Sequence, residues 1–255
     1  MGEAVLYEVK DHVALITLNR PQAKNALNRA MRKELQLAYT DVKHNRDIWV
    51  AILTGNGDVF CSGKDLFEKV APEDEDGSVM SNDELYIFQR NIFKPIILAI
   101  NGPCLAQGGG LALNADILIM SERASLGWPQ VKRGISSVSG PTLLPHAIPW
   151  NQAMGYLMRG KFIPAAECFK LGIANEVAPH EELLPTARRW AAEIMENAPL
   201  AVHAIKEAAR RGQEIPFDKR AYLARDVADR VLLSEDSREG ILAFKEKRKP
   251  VWKAR

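Results

Sequence analysis

One stretch of thirty residues, 101–130, constrains this chain more than any other. NGPCLAQGGGLALNADILIMSERASLGWPQ places a glycine-rich turn, the start of an apolar helix and a short strand in direct succession. A turn that opens straight into a helix leaves backbone N–H groups without partners and aims them, with the positive helix end, at one point. A carbonyl oxygen gaining negative charge is the group such a point stabilises. A second turn, FCSGKDL at residues 60–66, follows a strand in the same way and offers an opposing N–H. Two donors on one oxygen make an oxyanion hole. The plainer alternative is a pair of strand-to-helix turns whose glycines only admit positive φ.

The segments on either side alternate between strand and helix patterns. Residues 6–11 and 13–18 predict a hairpin broken at Asp11-His12, and Pro21 ends the second strand. Asn25 or Asn28 is placed to cap the helix that follows, in which Met31, Leu35, Ala38 and Val42 form one buried stripe. WVAILT at 49–54 reads as a strand buried on both faces, completing a βαβ unit. The acidic stretch APEDEDGSVMSNDE is expected as a surface loop, either a lid over a pocket or a solvated insert. Residues 85–93 return to helical spacing before Pro95, and IILAI is the strand that feeds the central stretch. After Gln130 the pattern predicts a turn with a short helix, then helices at 153–158 and 165–171 and a strand at 173–177. From Glu181 the character changes to long amphipathic segments at 182–196, 199–211, 217–234 and 238–246, an all-helical tail after an α/β body.

Composition limits the partner. Lys and Arg total 34 against 32 Asp and Glu, a net charge of +2 that argues against nucleic acid or an anionic membrane as ligand. No apolar run reaches the roughly eighteen residues a membrane span needs. Cys61, Cys104 and Cys168 are odd in number and widely spaced, fitting neither a disulfide framework nor a CxxC metal site, and point to a cytoplasmic setting. The five histidines lack HxxxH or HExxH spacing, so no metal is expected. GGGLAL is not GxGxxG, there is no P-loop, and GxSxG is absent, which leaves His146 without the elbow of a Ser-His hydrolase. The basic close, KEKRKPVWKAR, is either a solvated end or an anion contact.

Six segments in order resemble the enoyl-CoA hydratase/isomerase family, the crotonases, over essentially the whole chain: LNRPQAKNALN, VFCSGKDL, AINGPCLAQGGGLALNADILI, GWPQVKRGI, GKFIPAAECFKLGIANEV and SEDSREGILAFKEKRKPVW. The resemblance implies an α/β fold, a crotonase-like spiral of repeated ββα units in residues 1–195, and a helical region at 196–255 that builds homotrimers or dimers of trimers. It implies an acyl-CoA thioester as substrate, with CoA part of that substrate and no separate cofactor. The backbone N–H groups of Lys64 and Gln107 map to the oxyanion hole. Ala23, Lys24 and Ala26 match the segment lining the nucleotide and pantetheine, with Ser62, Asp65, Leu66 and Gly108 along the same channel. Phe244 and Lys247 match the pair that reaches CoA from a neighbouring helix. The Lys64 ammonium is an expected contact for CoA phosphates, and Trp128 either shapes a flat acyl pocket or belongs to the core.

The chain departs from the family at two positions. Hydratases of this type carry glutamates that position water and move its proton; here those positions hold Gly110 and Gln130. Neither has a titrating group, and each loss removes roughly two to four orders of magnitude in rate. The region where other members place a carboxylate reads Ser136, Ser137, Val138, Ser139. A proton-handling group must come from elsewhere, with Asp83, Glu84, Tyr86 and His146 as alternatives; otherwise the protein is a catalytically silent acyl-CoA-binding homologue.

Overall fold

Runs such as VALITL, VAILTG and IILAI have almost no polar face to give to water, so they settle where both sides of a sheet are covered. The structure, a computed structural model, describes residues 2–69 and 77–255. In it β1 (Val5–Lys10) and β2 (Val13–Leu18) form an antiparallel hairpin, and β3 (Val50–Gly55), β4 (Ile96–Ile100), β6 (Ile117–Ser121) and β9 (Glu176–Ala178) extend it in parallel. The sheet order is β1-β2-β3-β4-β6-β9. The hairpin turns on Asp11 and His12, both at positive φ, the backbone hand that matches strand twist in a two-residue turn. A second sheet, β5 (Pro103–Leu105), β7 (Ser125–Gly127) and β8 (Phe162–Pro164), has β7 at its centre.

Alternation along the parallel strands divides two apolar cores. Ala51, Leu53, Ile96, Leu98 and Ile100 face the larger one, which takes in α1 (Arg29–His44) through Met31, Leu35, Ala38, Tyr39 and Val42. Ile52, Ile97, Ala99 and Ile119 face the other, closed by Leu183, Ala187 and Ala191 of α7 (Leu183–Met195). The remaining helices are α2 (Asn82–Arg90), α3 (Gln107–Asn114), α4 (Ser139–Ala147), α5 (Trp150–Arg159), α6 (Ala165–Lys170), α8 (Pro199–Gly212), α9 (Phe217–Leu232) and α10 (Glu235–Glu246). Although α8 lies in the helical tail, Lys206 and Arg210 bind it to Asp116, and Arg210 also donates to the Asn114 and Ala115 carbonyls that end α3. Those are orphan acceptors of a helix C-terminus, and a cation suits them.

One pair of alternatives is resolved and one expectation is corrected. Asn28, not Asn25, caps α1, accepting from the Met31 N–H at 3.0 Å. Asn25 is fully buried at φ 51°, where it knits two turns: its side chain accepts from Arg20 N–H and donates to the Asn56 and Val59 carbonyls. The acidic stretch also ends sooner than expected. Its residues 71–76 lie outside the described residues, but Asn82, Asp83 and Glu84 already form the first turn of α2. Ser81 and Glu84 satisfy each other's backbone N–H in a capping box, a signal legible in SNDE.

Candidate active site

The turns after β3 and β4 are forced together by their own backbones. Asn101 accepts from Gly55 N–H and donates to the Gly57 carbonyl at 2.6 Å. Gly102 comes so close that an added Cβ would stand 1.9 Å from the Asp58 carbonyl oxygen, so no other residue fits there. Beyond this contact the chain at Cys61 pairs in parallel with Cys104, with Leu105 N–H donating to the Cys61 carbonyl at 2.8 Å. Lys64 and Gln107 each lie three residues past that pair.

Gly63 then resets which way the peptides face. In a ladder, alternate residues address opposite sides. Ser62 N–H donates to the Lys24 carbonyl, yet the Gly63 carbonyl and Asp65 N–H both engage Leu27, a shift of one residue made at Gly63, whose φ is 100°. Lys64 N–H is thereby turned away from Leu27, toward the start of α3. A Cβ on Gly63 would lie 2.7 Å from Ala106 Cβ and 3.4 Å from Gln107 N, so the two turns are in contact. Neither the Lys64 nor the Gln107 N–H donates to another described backbone or side-chain group.

Ala106 is the strained residue of the site. Its φ of 54° and ψ of −112° belong to glycine, a conformation that costs roughly 1–3 kcal/mol elsewhere. Surroundings hold it: Ala106 N–H donates to the Gly127 carbonyl at 2.8 Å, and its own carbonyl accepts from the Ser139 hydroxyl at 3.1 Å. Ser139 in turn accepts from Trp128 Nε1–H at 3.0 Å. Both side chains are buried. Trp128 stands as a wall behind α3, where a Cβ at Gly109 would meet its ring at 2.5 Å, and only 3% of it is exposed.

The residues expected along the CoA channel fall into one ribbon. Residues 23–27 run beside 62–65, and Asp65 ties them through an ion pair with Arg20 at 3.0 Å. Ala26 is buried and Ala23 half-buried, Ser62 is half-buried, and Lys24, Lys64 and Leu66 are exposed. Gly108 packs against Cys61, with 2.9 Å from an added Cβ to Cys61 Cβ. Phe244 and Lys247 stand exposed at the end of α10, and no described bond joins them to that ribbon. Cys61 is buried and its thiol is pushed up to about 12 by that burial, against a Gly63 N–H that lowers it, so it stays protonated.

Around Gly110 the expected carboxylate volume is filled. An added Cβ there would lie 2.7 Å from Tyr86 Cδ1 and 3.1 Å from Ser139 Cβ. Tyr86 is held by α2, which a buried chain fastens to its neighbours: Tyr39 hydroxyl donates to Gln89 Oε1 and Gln89 Nε2 donates to the Leu111 carbonyl. Burial, then the charge of the neighbouring Asp83, push the Tyr86 hydroxyl up to about 12. The same Asp83 accepts from Gln107 Nε2 at 3.1 Å. The outer oxygens of Gln107 and Gln130 are buried with no donor among the described residues. Glu84 is committed to its cap and His146 is exposed at the end of α4, so of the four alternatives Tyr86 is the one packed against Gly110 and Asp83 the one bonded to Gln107.

The family model for enoyl-CoA hydratase/isomerase matches residues 8–255. This chain belongs to that family. The hydratase/isomerase assignment is matched by relatives along the full length. The chain is 38% identical to the carnitinyl-CoA dehydratase of Proteus mirabilis, covering 100% of both chains. It is 35% identical to the (E)-benzylidenesuccinyl-CoA hydratase of Thauera aromatica, over 98% of each. Among solved structures, the enoyl-CoA hydratase of Bacillus anthracis superposes with a TM-score of 0.92 at 32% identity, over 99% of this chain and 100% of that one. The crotonase fold expected from the sequence is therefore the fold of this chain.

Proposed function

We propose that this hydratase/isomerase-family protein binds an acyl-CoA thioester with its carbonyl oxygen between the Lys64 and Gln107 N–H groups and stabilises the thioester enolate there. The observation that carries this reading is the meeting of the two turns, with 3.4 Å from a Gly63 Cβ to Gln107 N and both amides free of other described partners. Two fixed donors stabilise charge as it forms without reorganising, and side chains at 64 and 107 are immaterial to that task. The names of the relatives, a dehydratase and a hydratase of CoA esters, favour reversible addition of water to an enoyl-CoA. CoA enters with the substrate, along Ala23, Lys24, Ala26, Ser62, Asp65 and Leu66, with the Lys64 ammonium toward its phosphates. The exposed apolar side chains of Phe217, Tyr222, Leu233 and Phe244 support assembly into trimers, which would bring a partner's helix to the ribbon. The three free thiols fit a cytoplasmic setting.

The test is isotope-edited infrared spectroscopy of a bound acyl-CoA labelled at the thioester carbonyl. The stretch is expected to move to lower frequency on binding, and an unshifted stretch, or failure of acyl-CoA to bind in calorimetry, overturns the reading. A second reading, a silent acyl-CoA-binding homologue, is favoured by the absence of a titrating group at Gly110 and Gln130. Turnover of any enoyl-CoA or 3-hydroxyacyl-CoA above background in a substrate panel excludes it.

A further inference from the structure

We infer that Asp83 is the proton-transfer group of this site and that Tyr86 is its positioning residue, the two together standing in for the side chain that Gly110 lacks. The inference rests on the acyl-CoA reading above. Its first support is steric. The Tyr86 ring lies where a side chain on residue 110 would begin, 2.7 Å from that Cβ, so the ring and the missing glutamate are mutually exclusive occupants of one volume. The second is connectivity. Asp83 receives a hydrogen bond from Gln107 Nε2 at 3.1 Å and stands close enough to Tyr86 for its charge to act on that hydroxyl, and Gln107 is the residue whose backbone N–H borders the proposed oxyanion position. A carboxylate is thus fixed one glutamine side chain from that N–H. The third is charge state. With its hydroxyl pushed up to about 12, first by burial and then by the charge of Asp83, Tyr86 stays protonated and able to donate through the neutral range.

The step balances with one group. As the water oxygen bonds to Cβ of the enoyl thioester, the Cα=Cβ π pair becomes the bond between Cα and the carbonyl carbon, the C=O π pair moves onto the thioester oxygen in the hole, and the Asp83 carboxylate takes the proton that water releases. The enolate then collapses, Cα takes that proton from Asp83, and the carboxylate is restored with one water added and nothing oxidised or reduced. The buried oxygens of Gln107 and Gln130, lacking donors among the described residues, are acceptors suited to the second hydrogen of that water. Elimination is the same sequence reversed.

The experiment reads proton transfer without needing the natural acyl group. Butyryl-CoA and phenylacetyl-CoA are incubated with the full-length protein in D2O, and loss of the Cα–H signal is followed by NMR, with binding measured separately by calorimetry. Wild type is expected to exchange. Asp83→Asn, which keeps an oxygen for Gln107, is expected to lose about 100-fold or more of the exchange rate with affinity within a few-fold. Tyr86→Phe, which keeps the ring in place, is expected to lose about 10-fold in rate with affinity unchanged, a split that a merely structural role would not give. Exchange retained within 3-fold by a folded Asp83→Asn protein overturns the inference, as does wild type that binds both thioesters and exchanges neither. Wild type that binds neither refutes the acyl-CoA reading itself, and the inference with it.

Discussion

Removing the Ser139 hydroxyl tests the device that holds the site in shape. In Ser139→Ala the indole N–H of Trp128, 3% exposed, loses its acceptor, and the Ala106 carbonyl loses its donor. An orphaned buried donor costs about 1–3 kcal/mol and an ordinary lost hydrogen bond about 1 kcal/mol, so unfolding should become easier by about 2–4 kcal/mol. For a chain of this length that is a fall in the melting midpoint of roughly 4–16 °C. The local effect is larger than the global one. Ala106 at φ 54° is under roughly 1–3 kcal/mol of backbone strain, and with its carbonyl released the peptide relaxes and swings the Gln107 N–H. The bound thioester carbonyl should then return most of the way to its solution frequency while CoA itself still binds. Adding Ala106→Gly, which removes the strain, should restore part of the spectral shift. A Ser139→Ala protein that loses under about 0.5 kcal/mol in denaturant titration and keeps the carbonyl shift would refute this account of the site.

Gly63→Ala adds a Cβ 2.7 Å from Ala106 Cβ at a φ of 100°, so the two turns must separate; thioester affinity and carbonyl shift should both fall, at least 10-fold for affinity, in calorimetry on the same protein. His203 gives a pH dependence away from the site. Burial holds its imidazole down at about 4, with Nε2–H donating to the Trp49 carbonyl at 3.1 Å. The unfolded chain takes up a proton near pH 6.5 and the folded one does not. Stability is therefore complete above about 6.5 and declines as pH falls toward 4, by on the order of 3 kcal/mol in total. Melting curves of His203→Gln, which keeps a donor, should be flatter across that interval than wild type, and parallel curves would contradict the assignment.

Most of the large elements were legible because their periods are long enough to see. VALITL and the stripe through Met31, Leu35, Ala38 and Val42 took the predicted places, and the strand read in WVAILT formed one residue later, at Val50–Gly55. The second sheet was not legible, since strands of three residues such as Pro103–Leu105 cannot display an alternation. Asn25 and Asn28 were equal candidates for the helix cap because Asn commonly is one, and Asn28 took it; the burial of Asn25 against Asn56 and Val59 depends on a turn about thirty residues away in sequence. The glycine-rich turns announced that two backbones approach each other, but not which residue would carry the strain, and Ala106 gave no sign of left-handed backbone. Tyr86 lies on a separate helix from Gly110, so the occupation of that volume could be seen only once α2 and α3 were packed.

What Gly102, Gly63 and the Cys61–Cys104 pairing hold in place is main chain, indifferent to most substitutions at 64 and 107. If the proposed carbonyl contact is made there, it persists while the neighbouring side chains are exchanged one by one. A lineage built on such a frame is free to lose one reaction and acquire another without passing through a form that no longer recognises its ligand.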